Sequence, residues 1–177
     1  EDKAFIWITF SDDLAMQSKD KFKGYFENTL ENNLLSVQDI NRGKLYENDI
    51  LFLNWQKVVS SAAENRTLRR PEDEDMRKES GKYFEDVIDA TKRDDREIIL
   101  VIDEAHTHVS TALAQKIVDY IDPKIVLHIS ATPDKAIIAE AAEHDSFIKL
   151  DRDAVVAEGL IKESIVLQSE EDLKRMG

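Results

Sequence analysis

The chain has 177 residues, enough for one domain with a full hydrophobic core. Hydrophobic residues make up 42% and charged residues 34%, and no apolar run approaches the length of a bilayer span, so the composition is that of a globular protein without a membrane-spanning helix. The formal net charge of -13 argues against a free-standing nucleic-acid binder, in which phosphate neutralisation dominates affinity, but is compatible with one domain of a larger machine. With no cysteine, disulfides and thiolate metal sites are excluded. Glu1-Asp2-Lys3 leads straight into a strand-like run with no secretory signal ahead of it. Together these features point to the cytoplasm, and the abrupt opening to a segment of a longer protein.

In chain order, Ala4 to Phe10 (AFIWITF) is rich in β-branched and aromatic residues and predicts a strand. Ser11 follows as a helix N-cap, with Asp12 and Asp13 in the first turn, where the helix dipole favours anions. That helix carries Leu14, Met16, Gln17 and Phe22 towards Phe26. Leu34 to Ile40 is a short mixed segment with some strand character, and Asp49 to Leu53 (DILFL) is a clear strand leading into Asn54-Trp55-Gln56-Lys57-Val58. Residues 60–80 have few apolar positions and dense charge of both signs, which predicts a solvent-exposed loop or insertion. Tyr83, Phe84, Val87 and Ile88 recur at helical spacing and place a helix over 81–92.

Two apolar runs follow, Ile98 to Ile102 and Ile125 to Ile129. Between them, Ser110 can cap a helix bearing Leu113, Ile117, Val118 and Ile121 and stopped near Pro123. A helix over 134–144 and a strand from Phe147 to Leu150 complete the pattern. Strands alternating with helices imply βαβ units, a parallel sheet and right-handed crossovers. The unbroken apolar character of the two central runs predicts strands buried on both faces. On this reading His128 is a core histidine and Trp55 a buried tryptophan.

The chemistry gathers at the ends of those two strands. Val101-Ile102 runs into Asp103-Glu104-Ala105-His106, and Ile129 into Ser130-Ala131-Thr132-Pro133. In open α/β sheets, ligands bind outside the carboxyl ends of the strands. A carboxylate at a strand tip suits Mg²⁺, which takes few protein oxygens and keeps waters and phosphate oxygens; Asp103 is the candidate, through a coordinated water. Glu104 is placed to orient or deprotonate a water attacking a γ-phosphate. The alternative is an acidic strand-to-helix turn with no chemistry, and the second polar strand end tells against it. His106 and His108 share a face of an extended segment, as two zinc ligands would, but no third ligand accompanies them.

The ordered pair Asp-Glu-Ala-His and Ser-Ala-Thr resembles motifs II and III of superfamily 2 helicases and DNA translocases. The flanking text narrows the resemblance: Tyr83 to Lys92 before the first motif, Thr111 to Ile117 after it, then Asp122-Pro123-Lys124-Ile125 and Val155 to Lys162. Over Phe5 to Leu167 the chain resembles the restriction (Res) subunit of type III restriction-modification enzymes.

The resemblance implies a three-layer, RecA-like α/β domain of the P-loop NTPase type with a mostly parallel sheet, spanning 1–167, and a tail or linker over 168–177. It implies ATP and Mg²⁺ as cofactors, and double-stranded DNA, a methyltransferase (Mod) subunit and a second RecA-like domain as partners. His106 then couples the nucleotide to Ser130 and Thr132, and motion on DNA ends in cleavage by a distant endonuclease domain. Phe5 to Gln17 resembles motif Ia and Asp49 to Gln56 the segment carrying the next motif, which makes Ser11, Gln17, Asn54 and Gln56 candidate nucleic-acid contacts, with ordinary α/β scaffolding as the alternative.

The departures are specific. None of Gly24, Gly43, Gly81, Gly159 and Gly177 forms the Gly-x-x-x-x-Gly-Lys-Ser/Thr phosphate loop, and no arginine-bearing motif VI is present. Pro71 to Lys78 (PEDEDMRK) superficially matches a nuclease site but lacks its strand context. The expectation is therefore a motor-domain fragment that lacks the phosphate-loop segment and is inactive alone. The competing expectations are a RecA-like domain of another superfamily 2 helicase and a nucleotide-free interaction module with this fold.

Overall fold

The computed structural model describes residues 2–26, 29, 33–59, 68–70, 83–103, 112–133 and 135–157. The chain forms two compact units, Glu1–Asp134 and Lys135–Gly177. The first holds a five-stranded, all-parallel sheet in the order β2-β3-β1-β4-β5, built from β1 (Lys3–Thr9), β2 (Leu34–Leu35), β3 (Ile50–Asn54), β4 (Glu97–Asp103) and β5 (Ile125–Ile129). Its helices are α1 (Asp12–Tyr25), α2 (Gln56–Val59), α3 (Phe84–Arg93) and α4 (Ala112–Ile121).

Chain order decides which face each helix covers. A right-handed crossover puts helices on opposite faces when the chain moves in opposite directions across the sheet. Only α1 follows a leftward move, from β1 out to the β2 edge; the later connections all run rightward. Accordingly, among the described helices of this unit, α1 packs on one face, where Trp7, Phe22 and Phe52 meet edge-on or tilted, with centroids 5.1 to 6.1 Å apart, above Ala15 and Leu34. The opposite face holds the larger core. Ala4, Ile6 and Ile8 of β1, with Leu100 and Ile102 of β4, pack there against Phe84, Val87 and Ile88 of α3 and Ala114, Ile117 and Ile121 of α4. Alternation in β1 follows from the period of two: its even residues, all 0% exposed, face that core.

Local signals account for the ends. Ser11 caps α1, its hydroxyl accepting from the Leu14 amide at 3.3 Å. Leu34 to Ile40 resolves into the two-residue β2 and a 3-10 helix, Val37–Arg42, opened by the Asp39 carboxylate accepting the Ser36 amide at 2.7 Å and closed by Gly43 at φ 80. Asp122, at φ 49, ends α4 one residue before Pro123.

Several expectations are corrected. β5 is not buried on both faces: Ile125, Leu127 and Ile129 are 44 to 49% exposed, on the face where α1 packs over β1, β2 and β3. His128 is exposed rather than part of the core. Phe147 to Leu150 forms no strand, and Ile148 is 87% exposed. Within the stretch read as a solvent-exposed loop, Leu68 is buried in the main core. Trp55 is buried as expected. The second unit contains α5 (Lys135–Glu143) and α6 (Arg152–Ala157), of which the sequence reading anticipated only the first. Among the described residues no helix is long and apolar enough to cross a membrane.

Candidate nucleotide and nucleic-acid edge

All five strands run parallel, so their carboxyl ends form one edge, and most of the residues singled out by sequence lie along it. Thr9 stands in register with Asn54, and Asp103 with Ile129, which leads directly into Ser130. Asp103 is half-buried, and among the described residues no hydrogen bond or ion pair engages its carboxylate. That sets it apart from Asp49, 0% exposed, which is held by the Tyr46 amide at 2.7 Å, by Asn33 at 3.1 Å and by Arg42 at 3.3 Å. A carboxylate at a strand tip without a partner among the described residues fits a cation that keeps most of its waters and takes its other oxygens from a phosphate. Past Ser130 the chain turns tightly, the Thr132 amide donating to the Ser130 hydroxyl at 3.1 Å.

Glu104 and His106 lie outside the described residues, as do His108 and Ser110, so the geometry speaks to the first residue of the acidic motif and to the second motif. Pro71 to Lys78 also falls outside, as does the expected tail over 168–177. Among the described residues there is no group of three His, Asp or Glu arranged to hold a metal.

The loops after β1 and β3 are tied together. The Thr9 hydroxyl donates to the Ser11 carbonyl at 2.9 Å, and the Trp55 amide donates to the Thr9 carbonyl at 3.0 Å. Asn54, 4% exposed, accepts the Lys57 amide at 3.0 Å and thereby starts α2. Lys57 reaches across to Asp12 at 2.8 Å. Ser11 and Asn54 thus each hold a helix N-terminus, whereas Gln17 and Gln56 are exposed on α1 and α2. Sequence reasoning missed Lys57 and Thr9, whose roles arise only when the two loops meet. It also missed Leu68-Arg69-Arg70, whose one signal was an isolated leucine among charges.

The all-parallel α/β sheet is that of a RecA-like domain, with Asp103 and the strand leading into Ser130-Ala131-Thr132 side by side at its carboxyl edge. Residues 1–135 match the family model described as type III restriction enzyme, res subunit, and the chain belongs to that family. The family is one of ATP-dependent, helicase-like motors of type III restriction enzymes. No curated protein and no solved structure matches the chain.

Proposed function

We propose that this chain is part of the first RecA-like domain of an ATP-driven DNA translocase, the motor of a type III restriction endonuclease. The observation that carries the reading is Asp103: a half-buried carboxylate without a partner among the described residues, at the carboxyl edge and next to the strand that leads into Ser130.

In the proposed reaction Asp103 would hold Mg²⁺, which would supply positive charge to offset that of the nucleotide's phosphates. Glu104 orients the attacking water and takes its proton as the new oxygen–phosphorus bond forms and the bridging bond to the β-phosphate breaks. His106 senses the γ-phosphate and passes its presence to Ser130 and Thr132. The phosphate loop, the arginine of a second RecA-like domain and the nuclease belong to other parts of the parent. Double-stranded DNA lies along the loops after β1 and β3, with Ser11, Gln17, Asn54 and Gln56 as the contacts on this chain. Ser11 and Asn54 would meet phosphate through the helix N-termini they cap; Asp12 and Asp13 in the first turn of α1 oppose an anion there, and Lys57 offsets Asp12. A cytoplasmic methyltransferase (Mod) partner supplies the DNA site.

The test is ATP turnover by the parent complex on DNA. Glu104→Gln is expected to keep ATP binding and to lower turnover by about a thousandfold, and Asp103→Asn to raise the Mg²⁺ concentration needed. Unaltered turnover in Glu104→Gln would remove the assigned base. A parent that carries no phosphate loop and binds no nucleotide would favour the interaction module.

A further inference from the structure

Leu68, Arg69 and Arg70 join α2 to α3 and, through Asp89, to α4. Leu68 is 7% exposed in the core; its amide donates to the Lys57 carbonyl at 3.3 Å and its carbonyl accepts the Phe84 amide at 2.8 Å. Arg69 donates to the Val58 carbonyl at 3.2 Å and pairs with Glu85. The Arg70 amide donates to the second Glu85 oxygen at 3.0 Å, and its guanidinium pairs with Asp86 and lies 3.7 Å from Asp89. Asp89 in turn accepts the Tyr120 hydroxyl of α4 at 2.7 Å.

Followed outward, the same contacts reach the carboxyl edge. α2 is held at its start by Asn54 and at its end by residues 68 and 69, and Lys57 continues the chain of contacts to Asp12 at the head of α1. At the other end α4 begins at Ala112, directly after the segment that follows Asp103. The strap is therefore a physical link between the loops after β1 and β3 and the helix behind the acidic motif.

Glu85 is 6% exposed, and both of its oxygens are satisfied by the strap. A buried carboxylate left without its arginine is strongly disfavoured, so the segment is held firmly on α3. The arginine side chains themselves are 29 and 32% exposed, so water can take them up when they leave.

We propose that Leu68-Arg69-Arg70 is a coupling strap, with Arg70 and Tyr120 as positioning residues through which DNA on the β1 and β3 loops sets the rate of ATP turnover. This rests on the reading of the carboxyl edge given above. The required evidence of coupling is a cycle rather than a path of contacts.

The experiment uses the full parent complex with Arg70→Gln, Tyr120→Phe and the double variant. Three quantities are read: turnover without DNA, turnover with saturating DNA, and amide exchange of residues 56–59. The expected result is a fall of about tenfold in DNA stimulation with turnover lacking DNA unchanged, faster exchange of 56–59, and a double variant no worse than Arg70→Gln alone. Full DNA stimulation despite faster exchange would make the strap purely structural and overturn the proposal, as would additive losses. Unchanged exchange would show that the strap does not hold α2. If the wild-type parent itself lacks DNA-stimulated turnover, the reading of the edge fails, and that outcome is separate from the exchange result.

Discussion

β4 and β5 are neighbours with nearly interchangeable sequences, Ile-Ile-Leu-Val-Ile and Ile-Val-Leu-His-Ile, and they occupy opposite environments. Leu100 is 0% exposed and Leu127 49%. β4 has β1 on one side, β5 on the other and α3 and α4 below. Among the described residues β5 has one partner strand, and its odd residues face a side on which the described part of the first unit supplies only α1, two strands away. An apolar pattern reports the surroundings a strand is suited to, whereas exposure reports the neighbours it has.

The comparison is broken most severely by a charge. Val101 and Leu127 are register partners, 5 and 49% exposed. Val101→Lys is expected to destabilise the chain by about 4 kcal/mol or more, and Leu127→Lys by about 0.5 kcal/mol or less, as read by urea denaturation. Similar losses at both positions would mean that β5 is covered in solution. Truncation gives a smaller contrast: Leu100→Ala should cost about 3 kcal/mol and Leu127→Ala about 1 kcal/mol or less.

A polar contrast sharpens the same point. Behind β4, the Thr91 hydroxyl is buried, donating to the Val87 carbonyl at 2.7 Å and accepting the Leu45 amide at 2.9 Å. Thr91→Val keeps the shape but strands that amide, so a loss of about 1 to 2 kcal/mol is expected. Thr132 lies beyond β5 with an exposed side chain, and Thr132→Val should leave stability within about 0.5 kcal/mol.

The smallest expected effect is in acid. The Arg96 guanidinium, hydrogen-bonded to Asp2 at 2.7 and 2.9 Å at the amino end of β1 and β4, holds that carboxyl below its ordinary value of 3.8. Lys44 does the same for Asp94. A carboxylate whose folded value is depressed contributes stability above its unfolded value and loses it as pH falls through the folded one. Stability should therefore drop below about pH 4. Asp2→Asn should flatten that limb, and an unchanged limb in the variant would assign the loss to other groups.

Much of this was legible in the sequence, for physical reasons. Alternating strands and helices fixed a parallel sheet, and a parallel sheet gathers its strand ends on one edge, which put Asp103 beside the turn at Ser130. Ser11 was readable as a cap because its hydroxyl acts within its own helix. The 3-10 helix had its signal, Ser36-x-x-Asp39, in a segment judged by hydropathy alone. The exposure of β5 was not legible, because it depends on what lies across the sheet. Phe147 to Leu150 has strand composition, but among the described residues no strand pairs with it. Leu68 is a single apolar residue with no periodicity around it, and its burial comes from partners far along the chain, Lys57 and Phe84.

The most direct test of the central claim is steady-state ATP hydrolysis by the 177-residue chain itself, with and without DNA. A motor domain without its phosphate loop and without a second domain should show no sustained turnover in either condition. Sustained turnover that disappears in Glu104→Gln would contradict the account, since the edge after β4 would then be a complete catalytic site rather than one part of a larger one.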